Sequence, residues 1–328
     1  MKMYNKKKLF LIMILLSTMM MMSSTKWLSM WLAMEINLMM TIPLIFSVKN
    51  KEISEKTMIY FLTQTMASIL FLMMVISKSM NMGMFFIKSL MTLSMMIKLG
   101  VPPFHLWMPE MLNKMNWMIM FIMITIQKIN PLMIISQLME KTLIFPLIMI
   151  VSSTLGSISG INQISMNKIM AFSSINHLSW IMMCMMNNNN LWMKYFLIYM
   201  LITLALCTMF NKNLVFFINQ MNMNLPTFMK VMIMLMMLNL GGLPPLPGFF
   251  MKWMTIESIL NIPSSYLTMT LMMFSSMITL LFYMRMSYYM MMTQSMNLKF
   301  MLHNKNYSYK NLYILLMMNL LLPMMILV

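Results

Sequence analysis

The chain has 328 residues, of which 61% are hydrophobic and only 9% are charged. A soluble domain carries about 25% charged residues, so this composition excludes a soluble enzyme and a disordered tail and predicts a polytopic membrane protein. The net charge is +17. The lysines stand singly between apolar segments, which is typical of membrane loops and argues against a nucleic-acid partner.

Apolar segments long enough to cross a bilayer follow one another along the chain. A hydrocarbon core of about 30 Å needs roughly 20 helical residues. The stretches between charged and turn residues predict eleven helices, at residues 9–25, 27–48, 57–77, 84–112, 115–137, 142–162, 168–186, 191–210, 228–262, 265–290 and 311–328. No loop holds a soluble domain, so residues 1–328 are predicted to form a single all-α membrane domain.

The loop lysines predict the orientation of the chain. Four lysines lie in the N-terminal segment 2–8, and most other loop lysines fall in loops on the same predicted side. Positively charged loops mark one side of a helical membrane protein. We therefore predict that the N-terminus faces the positive side and that an odd number of helices places the C-terminus opposite.

Two predicted segments, 84–112 and 228–262, are too long for one straight helix, and both contain a Gly-x-Pro-Pro sequence. The residues are Gly100, Pro102 and Pro103 in the first, and Gly242, Pro244 and Pro245 in the second. Proline removes a backbone donor and breaks a helix. A break at membrane depth is tolerated only where the freed backbone groups face protein or a watered cavity. Both segments are therefore predicted to be discontinuous helices.

The positions of the two breaks predict an internal repeat. They lie 142 residues apart, in the fourth and ninth segments, and this odd offset of five helices inverts the second copy. We predict two inverted five-helix repeats, at residues 1–137 and 142–290, followed by a C-terminal helix at 311–328. Matching broken helices in inverted repeats are typical of ion-coupled transporters, with the site beside the breaks. The alternative is a coincidence between two proline-bearing loops.

Among the ionisable side chains in the predicted membrane segments, five are candidate functional groups, whereas Lys88, Lys168, Lys194, Glu110 and Glu257 lie near segment ends and are interpreted as interface or surface charges. The five candidates are Glu35, Lys98, Lys128, His177 and Lys252. A charge at the bilayer centre costs about 2.5–3.5 kcal/mol on insertion scales, so each is a candidate functional group. For the lysines the alternative is that the side chain reaches the membrane interface, and for His177 it is a hydrogen-bonded packing role.

Buried lysines with a carboxylate within reach are suited to storing protons. Removal from water favours the neutral amine, whereas a nearby carboxylate favours the charged form. The sequence therefore predicts proton-storing stations linked by water. It shows no metal-ligand spacing, no glycine-rich phosphate loop and no Ser–His–acid set.

Several sequence blocks resemble a known family. They are AMEIN at 33–37, YFLTQ at 60–64, KLGVPPFHLWMPE at 98–110, KIMAFSSINH at 168–177 and LGGLPPLPGF at 240–249. Over nearly the whole chain the sequence resembles the antiporter-like membrane-arm subunits of mitochondrial NADH dehydrogenase, respiratory complex I. The length and the predicted helix number favour the subunit 2 family of the shortened animal type.

The resemblance implies proton translocation across the mitochondrial inner membrane, coupled to electron transfer from NADH to ubiquinone. It maps the channel residues of the family onto Glu35, Lys98, Lys128 and Lys252, with His177 as a further candidate. NADH, FMN, iron–sulfur clusters and ubiquinone would belong to other subunits, and this chain would hold no cofactor. The N-terminus would face the matrix. The expected partners are other complex I membrane-arm subunits and membrane lipids such as cardiolipin.

Two other functions are compatible with the same residues. A subunit of a multisubunit cation/proton antiporter shares the fold and the block around Lys98. A membrane scaffold would use its buried charges only as structural pairs. Partner identity separates the first alternative from a complex I subunit, and substitution of Lys98 or Glu35 separates a pump from a scaffold.

Overall fold

The computed structural model describes residues 2–46, 51–78, 83–138, 144–187, 190–222, 227–244, 246–260 and 266–291. These residues form thirteen α-helices and one short 3₁₀ helix, with no β-strand beyond an isolated bridge between Ser165 and Phe217. The predicted all-α fold is confirmed for this part of the chain. Its contacts define two compact units, residues 1–140 (the first unit) and residues 141–328 (the second unit).

The first unit contains seven helices within its described residues. They are α1 (Lys2–Ser23), α2 (Trp27–Ile45), α3 (Lys51–Ser77), α4 (Met84–Leu99), α5 (Trp107–Leu112), α6 (Trp117–Ile124) and α7 (Ile126–Leu138). Helix α1 packs against α2 and α7, and α4 contacts both α3 and α7. An apolar cluster of Ile14, Leu44 and Ile122 joins α1, α2 and α6. Helices α4 and α7, which carry Lys98 and Lys128, are thus in direct contact.

The second unit contains six α-helices and the 3₁₀ helix within its described residues. They are α8 (Ile144–Ile161), α9 (Met166–Asn187), α10 (Leu191–Asn213), the 3₁₀ helix (Ile218–Asn222), α11 (Thr227–Gly241), α12 (Pro247–Ile259) and α13 (Tyr266–Met291). Helix α9 contacts α8, α10, α12 and α13 and is almost entirely buried. It is the core element against which the second unit is built.

Six helical segments among the described residues are long and apolar enough to cross a membrane. They are Trp27–Ile45, Lys51–Ser77, Trp117–Leu138, Met166–Met186, Leu191–Asn213 and Tyr266–Met290. At 1.5 Å of rise per residue, helices of about 20 residues match the hydrocarbon thickness. The chain is a multi-pass membrane protein.

Each of the first ten predicted segments contains helix in the described residues. The eleventh, at 311–328, and the break residue Pro245 lie outside the described residues. The total of eleven helices and the inverted relation of the two halves stay predictions.

Helix α13 shows how the unburied surface suits lipid. Leu267, Phe274 and Leu281 are spaced by seven residues and are 67%, 69% and 62% exposed. Seven residues are close to two helical turns, so the three side chains form one apolar stripe. Contiguous apolar surface of this kind is unfavourable in water and favourable in a bilayer.

The single arginine of the chain closes the end of α8. Arg285 in α13 donates hydrogen bonds to the carbonyl of Ile161 and, at 2.8 Å, to that of Gln163. A hydrogen bond to a charged group contributes about 1.5–3 kcal/mol. We expect Arg285→Met to lower the melting temperature of the assembled protein, whereas Lys194→Met at an exposed position of α10 leaves it unchanged. Equal melting temperatures for the two variants would contradict this role.

Candidate proton-transfer sites beside broken helices

The first predicted break is present and has a defined end structure. Helix α4 ends at Leu99, and Gly100 adopts a left-handed conformation with φ of 69°. The amide of Gly100 donates to the carbonyl of Ile97 at 3.2 Å, and that of Val101 donates to the carbonyl of Met96 at 3.1 Å. These two hydrogen bonds form a Schellman motif, in which glycine is favoured because φ is positive.

Side chains satisfy two of the backbone carbonyls at this break. Nε1 of Trp107 donates to the carbonyl of Ile97 at 3.2 Å, and Nε2 of Gln64 donates to that of Lys98, also at 3.2 Å. Pro102 and Pro103 follow in the loop and have no amide hydrogen to offer. The break is therefore stabilised by protein donors, as a membrane protein requires.

The second break repeats the same end structure. Helix α11 ends at Gly241, and Gly242 has φ of 80°. The amide of Gly242 donates to the carbonyl of Asn239 at 3.0 Å, and that of Leu243 donates to the carbonyl of Leu238 at 3.3 Å. Pro244 follows and α12 begins at Pro247. Gly100-Val101 and Gly242-Leu243 thus form the same Schellman motif.

Helix α12 folds back onto the end of α11 through two hydrogen bonds. Nζ of Lys252 donates to the carbonyl of Gly241 at 2.8 Å. The amide of Gly248 donates to Oδ1 of Asn239 at 2.6 Å. Lys252 therefore stabilises the broken helix as well as carrying an ionisable group.

A third interruption, which the sequence analysis missed, lies beside Lys128. Helices α6 and α7 are separated at Thr125, whose hydroxyl donates to the carbonyl of Phe121 at 2.6 Å. Serine and threonine hydroxyls that bond to the preceding turn bend helices. Pro131 in α7 also lacks the amide that would bond to the carbonyl of Gln127. Pro131 is the feature of the sequence that could have indicated an irregular helix here.

Lys98 and Lys128 line one cavity in the first unit. They are 8% and 4% exposed. The cavity measures ≈ 20 Å³ and is also lined by the polar side chains Tyr60, Gln64 and Gln127. About 10–15 Å³ is enough for one water molecule, and a polar lining is the other requirement. The structure therefore brings these two predicted lysines together around space for water.

A second cavity of the same size, ≈ 20 Å³, also contains Lys98 in its lining. Its other polar side chains include Asn37, Gln127 and Asn130. Nζ of Lys98 donates to Sδ of Met34 at 3.6 Å. Lys98 therefore lines both cavities, which also share Tyr60, Gln64 and Gln127.

Glu35 provides the negative charge near Lys98. It follows Met34 in α2, and its carboxylate interacts electrostatically with the Lys98 amine. Its Oε1 is buried and has no hydrogen-bond partner among the described residues. The carboxylate therefore acts on the lysine at a distance.

Uncharged polar side chains connect the helices around these cavities. Nε2 of Gln127 donates to Oδ1 of Asn37 at 2.9 Å, which joins α7 to α2. The hydroxyl of Tyr60 in α3 lies 3.3 Å from that of Thr41 and 3.5 Å from Oε1 of Gln127. These residues were not predicted as site residues from the sequence. For Asn37 and Gln127 the signal in the sequence was an amide inside an apolar segment, where an unpaired amide is also costly.

Lys252 and His177 lie together in the second unit. Both line a pocket that also includes Asn176, Trp180 and Tyr283, and its volume is ≈ 0 Å³. Nζ of Lys252 lies 6.0 Å from the centre of the Trp180 ring. The pocket is polar but has no room for water, unlike the cavities around Lys98.

His177 is held by aromatic neighbours. It is 4% exposed, and its Nδ1 lies 2.9 Å from the hydroxyl of Tyr195. Its ring centre lies 4.8 Å from that of Tyr199. These contacts fit both a hydrogen-bonded packing residue and a proton-exchanging one.

The geometry supports proton transfer better than metal or covalent chemistry. Within the first unit the structure brings together Lys98 and Lys128, with Glu35 near enough to interact electrostatically with Lys98, and within the second unit it brings together Lys252 and His177. Among the described residues, no three His, Cys, Asp or Glu side chains are placed to hold a metal ion. Broken membrane helices around buried ionisable groups define the class of ion- and proton-translocating membrane proteins.

A family profile described as "NADH:quinone oxidoreductase/Mrp antiporter, TM" matches residues 24–279. The chain is 39% identical to NADH-ubiquinone oxidoreductase chain 2 of Anopheles gambiae over 305 residues, which covers 90% of this chain and 89% of the relative. The chain therefore belongs to the NADH:quinone oxidoreductase and Mrp antiporter membrane family, in its NADH-ubiquinone oxidoreductase chain 2 group. The resemblance found in the sequence is confirmed.

Solved structures share the fold at low sequence identity. A chain of respiratory complex I from Thermus thermophilus has a TM-score of 0.80 and 18% identity, covering 87% of this chain and 70% of that one. A chain of the Mrp complex from Dietzia has a TM-score of 0.75 and 13% identity, covering 84% of this chain and 59% of that one. At these identities the similarity shows the antiporter-like fold.

Proposed function

We propose that this chain carries a proton-translocation site of respiratory complex I, formed by Glu35, Lys98 and Lys128. The observation that carries the proposal is the water-sized cavity of ≈ 20 Å³ that both lysines line. Water between two amines lets a proton pass from one to the other without movement of the backbone. Glu35 supplies the electrostatic bias, because a carboxylate near an amine favours the charged form of that amine.

The names of the relatives support respiratory complex I as the assembly in which this site works. They are chains of NADH-ubiquinone oxidoreductase, so the proposed partners are the other complex I subunits of the mitochondrial membrane arm. We place the chain in the inner membrane with its N-terminus on the matrix side, on the basis of its loop lysines. NADH, FMN, the iron–sulfur clusters and ubiquinone are assigned to other subunits. Anionic lipids such as cardiolipin are expected near those lysines.

Lys252 and His177 form the proposed second ionisable site. The support for an internal repeat is the identical Schellman motif at Gly100 and Gly242, each followed by proline. The second site differs from the first because its pocket volume is ≈ 0 Å³. A proton on Lys252 is therefore proposed to exchange only when this pocket admits water.

The shared fold of the Mrp complex favours one alternative, a subunit of a cation/proton antiporter. The two functions differ in their partners. We expect the chain to co-purify with NADH dehydrogenase activity that rotenone inhibits. Its recovery in an assembly without that activity would support the antiporter.

Replacing Glu35 tests whether the buried charge is functional. We expect Glu35→Gln in the assembled complex to lower the rate of proton pumping about ten-fold. This corresponds to the loss of about 1.4 kcal/mol of electrostatic bias on Lys98. The measurement is the initial rate of proton uptake by vesicles during NADH oxidation.

The matched control is Glu55→Gln, which makes the same change at an exposed position of α3. This variant is expected to pump at the rate of the unmodified complex. Full pumping rate and stoichiometry in Glu35→Gln would favour the scaffold and would remove Glu35 from the site.

A further inference from the structure

Asn130 in α7 is a buried amide without a protein partner. It is 1% exposed, and neither Nδ2 nor Oδ1 has a hydrogen-bond partner among the described residues. Buried polar groups in proteins are almost always hydrogen-bonded to protein or to ordered water. Asn130 therefore calls for a ligand that both donates and accepts hydrogen bonds.

The cavity beside Asn130 has the size and lining for such a ligand. Its volume is ≈ 20 Å³, and Lys98, Asn37 and Gln127 also line it. A water molecule needs about 10–15 Å³ and two to four polar partners. A larger polar ligand does not fit in this volume.

The amine of Lys98 lacks a strong acceptor on this side. Its hydrogen bond here is to the thioether of Met34, at 3.6 Å. A thioether is a weak acceptor, whereas an ammonium group has three donors. A water molecule between Lys98 and Asn130 accepts from the ammonium and donates to the amide oxygen, and so gives each of the two side chains a hydrogen-bond partner.

We propose that Asn130 is a positioning residue that binds a water molecule and, through it, holds the protonated amine of Lys98. The inference rests on the proposed proton-transfer role of Lys98. Lys98 also lines the cavity shared with Lys128, and the two cavities have Tyr60, Gln64 and Gln127 in common. The water bound to Asn130 stabilises the protonated amine of Lys98 before the proton passes towards Lys128.

The test compares the unmodified complex with Asn130→Leu, which is similar in size and has no polar atom. High-resolution density of the assembled complex is expected to show a water within hydrogen-bond distance of Asn130 and of Nζ of Lys98, and to lose it in the leucine variant. Proton-coupled NADH oxidation is expected to fall about ten-fold in Asn130→Leu, the effect of losing one hydrogen bond to a charged group.

Two further variants separate this role from a structural one. Asn130→Ser keeps a hydroxyl and room for water, and it is expected to restore most of the rate. Gln137→Leu removes an amide at an exposed position of the same helix and is expected to leave the rate unchanged. If Asn130→Leu does not assemble, the density of the unmodified complex decides the question.

No water at Asn130 in the unmodified complex, or full turnover in Asn130→Leu, would overturn the inference. Failure of the proposed function has a different outcome. If the Lys98→Met complex still pumps protons and the unmodified complex shows the water at Asn130, the proton-transfer role of Lys98 is wrong and the water site is confirmed. If Lys98→Met abolishes pumping and the unmodified complex shows no water at Asn130, the role of Asn130 is wrong and the proton-transfer role of Lys98 is retained.

Discussion

Lys98→Met is expected to stop proton transfer through the first unit and to slow proton-coupled NADH oxidation by roughly 100-fold. Positioned groups that donate and accept protons contribute about 10²–10⁴-fold. Methionine is similar in length and apolar, so the packing of α4 is retained while the titratable amine is lost. The measurement is the number of protons pumped per NADH, taken together with the turnover rate.

Lys98→Arg distinguishes a proton carrier from a fixed charge. Arginine retains the positive charge beside Glu35 but does not release its proton in proteins. A structural ion pair would tolerate this change, whereas a proton-transfer site would not. We expect Lys98→Arg to be as inactive in pumping as Lys98→Met.

Lys88→Met is the matched control for both variants. Lys88 lies on the same helix, ten residues before Lys98, and is only partly buried. It lines neither of the cavities around Lys98. Normal pumping in this control with loss in Lys98→Met would assign the effect to the buried amine. Normal pumping in both would reject the site.

The positions of the buried lysines could be predicted from the sequence because a lysine inside an apolar segment is costly. Lys98, Lys128 and Lys252 were predicted on this ground, and the structure buries all three. That Lys98 and Lys128 line the same cavity could not be predicted in this way. They are thirty positions apart on different helices, and their proximity depends on how α4 packs against α7.

The breaks at Gly100 and Gly242 were predictable because Gly-x-Pro-Pro interrupts a helix within a few residues. The break at Thr125 was not, because its signals are spread along the chain. Thr125 bonds back to the preceding turn, and Pro131 frees a carbonyl one turn earlier. A threonine or a single proline occurs in many continuous membrane helices. Packing of α7 against α4 and α1 decides the local geometry.

The amides around Lys98 are site residues that a search of the sequence for buried charges does not find. Asn37, Gln127 and Asn130 carry no charge, so the cost of placing a charge in the membrane did not mark them as candidates. Their importance depends on whether a partner is within reach, which only the fold decides. The pair formed by Gln127 and Asn37 is satisfied at 2.9 Å, whereas Asn130 is left for a ligand.

Gly248→Ala is expected to disrupt the second break and to prevent normal assembly of the chain. A Cβ at this position would lie 1.7 Å from the carbonyl oxygen of Asn239. That atom belongs to the backbone and cannot rotate away, so α12 must move away from α11. Overpacking commonly costs about 1–3 kcal/mol, and we expect the upper end or more here.

The displacement also breaks hydrogen bonds that hold the site. The amide of Gly248 would lose Oδ1 of Asn239, and Lys252 would lose the carbonyl of Gly241. We therefore expect less assembled complex, a lower melting temperature and lower pumping per assembled complex. The last effect distinguishes a displaced Lys252 from simple loss of stability.

Gly83→Ala is the control that isolates the close approach. Gly83 precedes α4, and no atom lies within 4 Å of the position that its Cβ would take, so alanine meets open space there. Gly83→Ala makes the same glycine-to-alanine change without a contact like that between Gly248 and Asn239, so assembly and pumping are expected to be normal. Equal behaviour of Gly83→Ala and Gly248→Ala would mean that α12 does not lie against Asn239. The positioning of Lys252 by the broken helix would then be wrong.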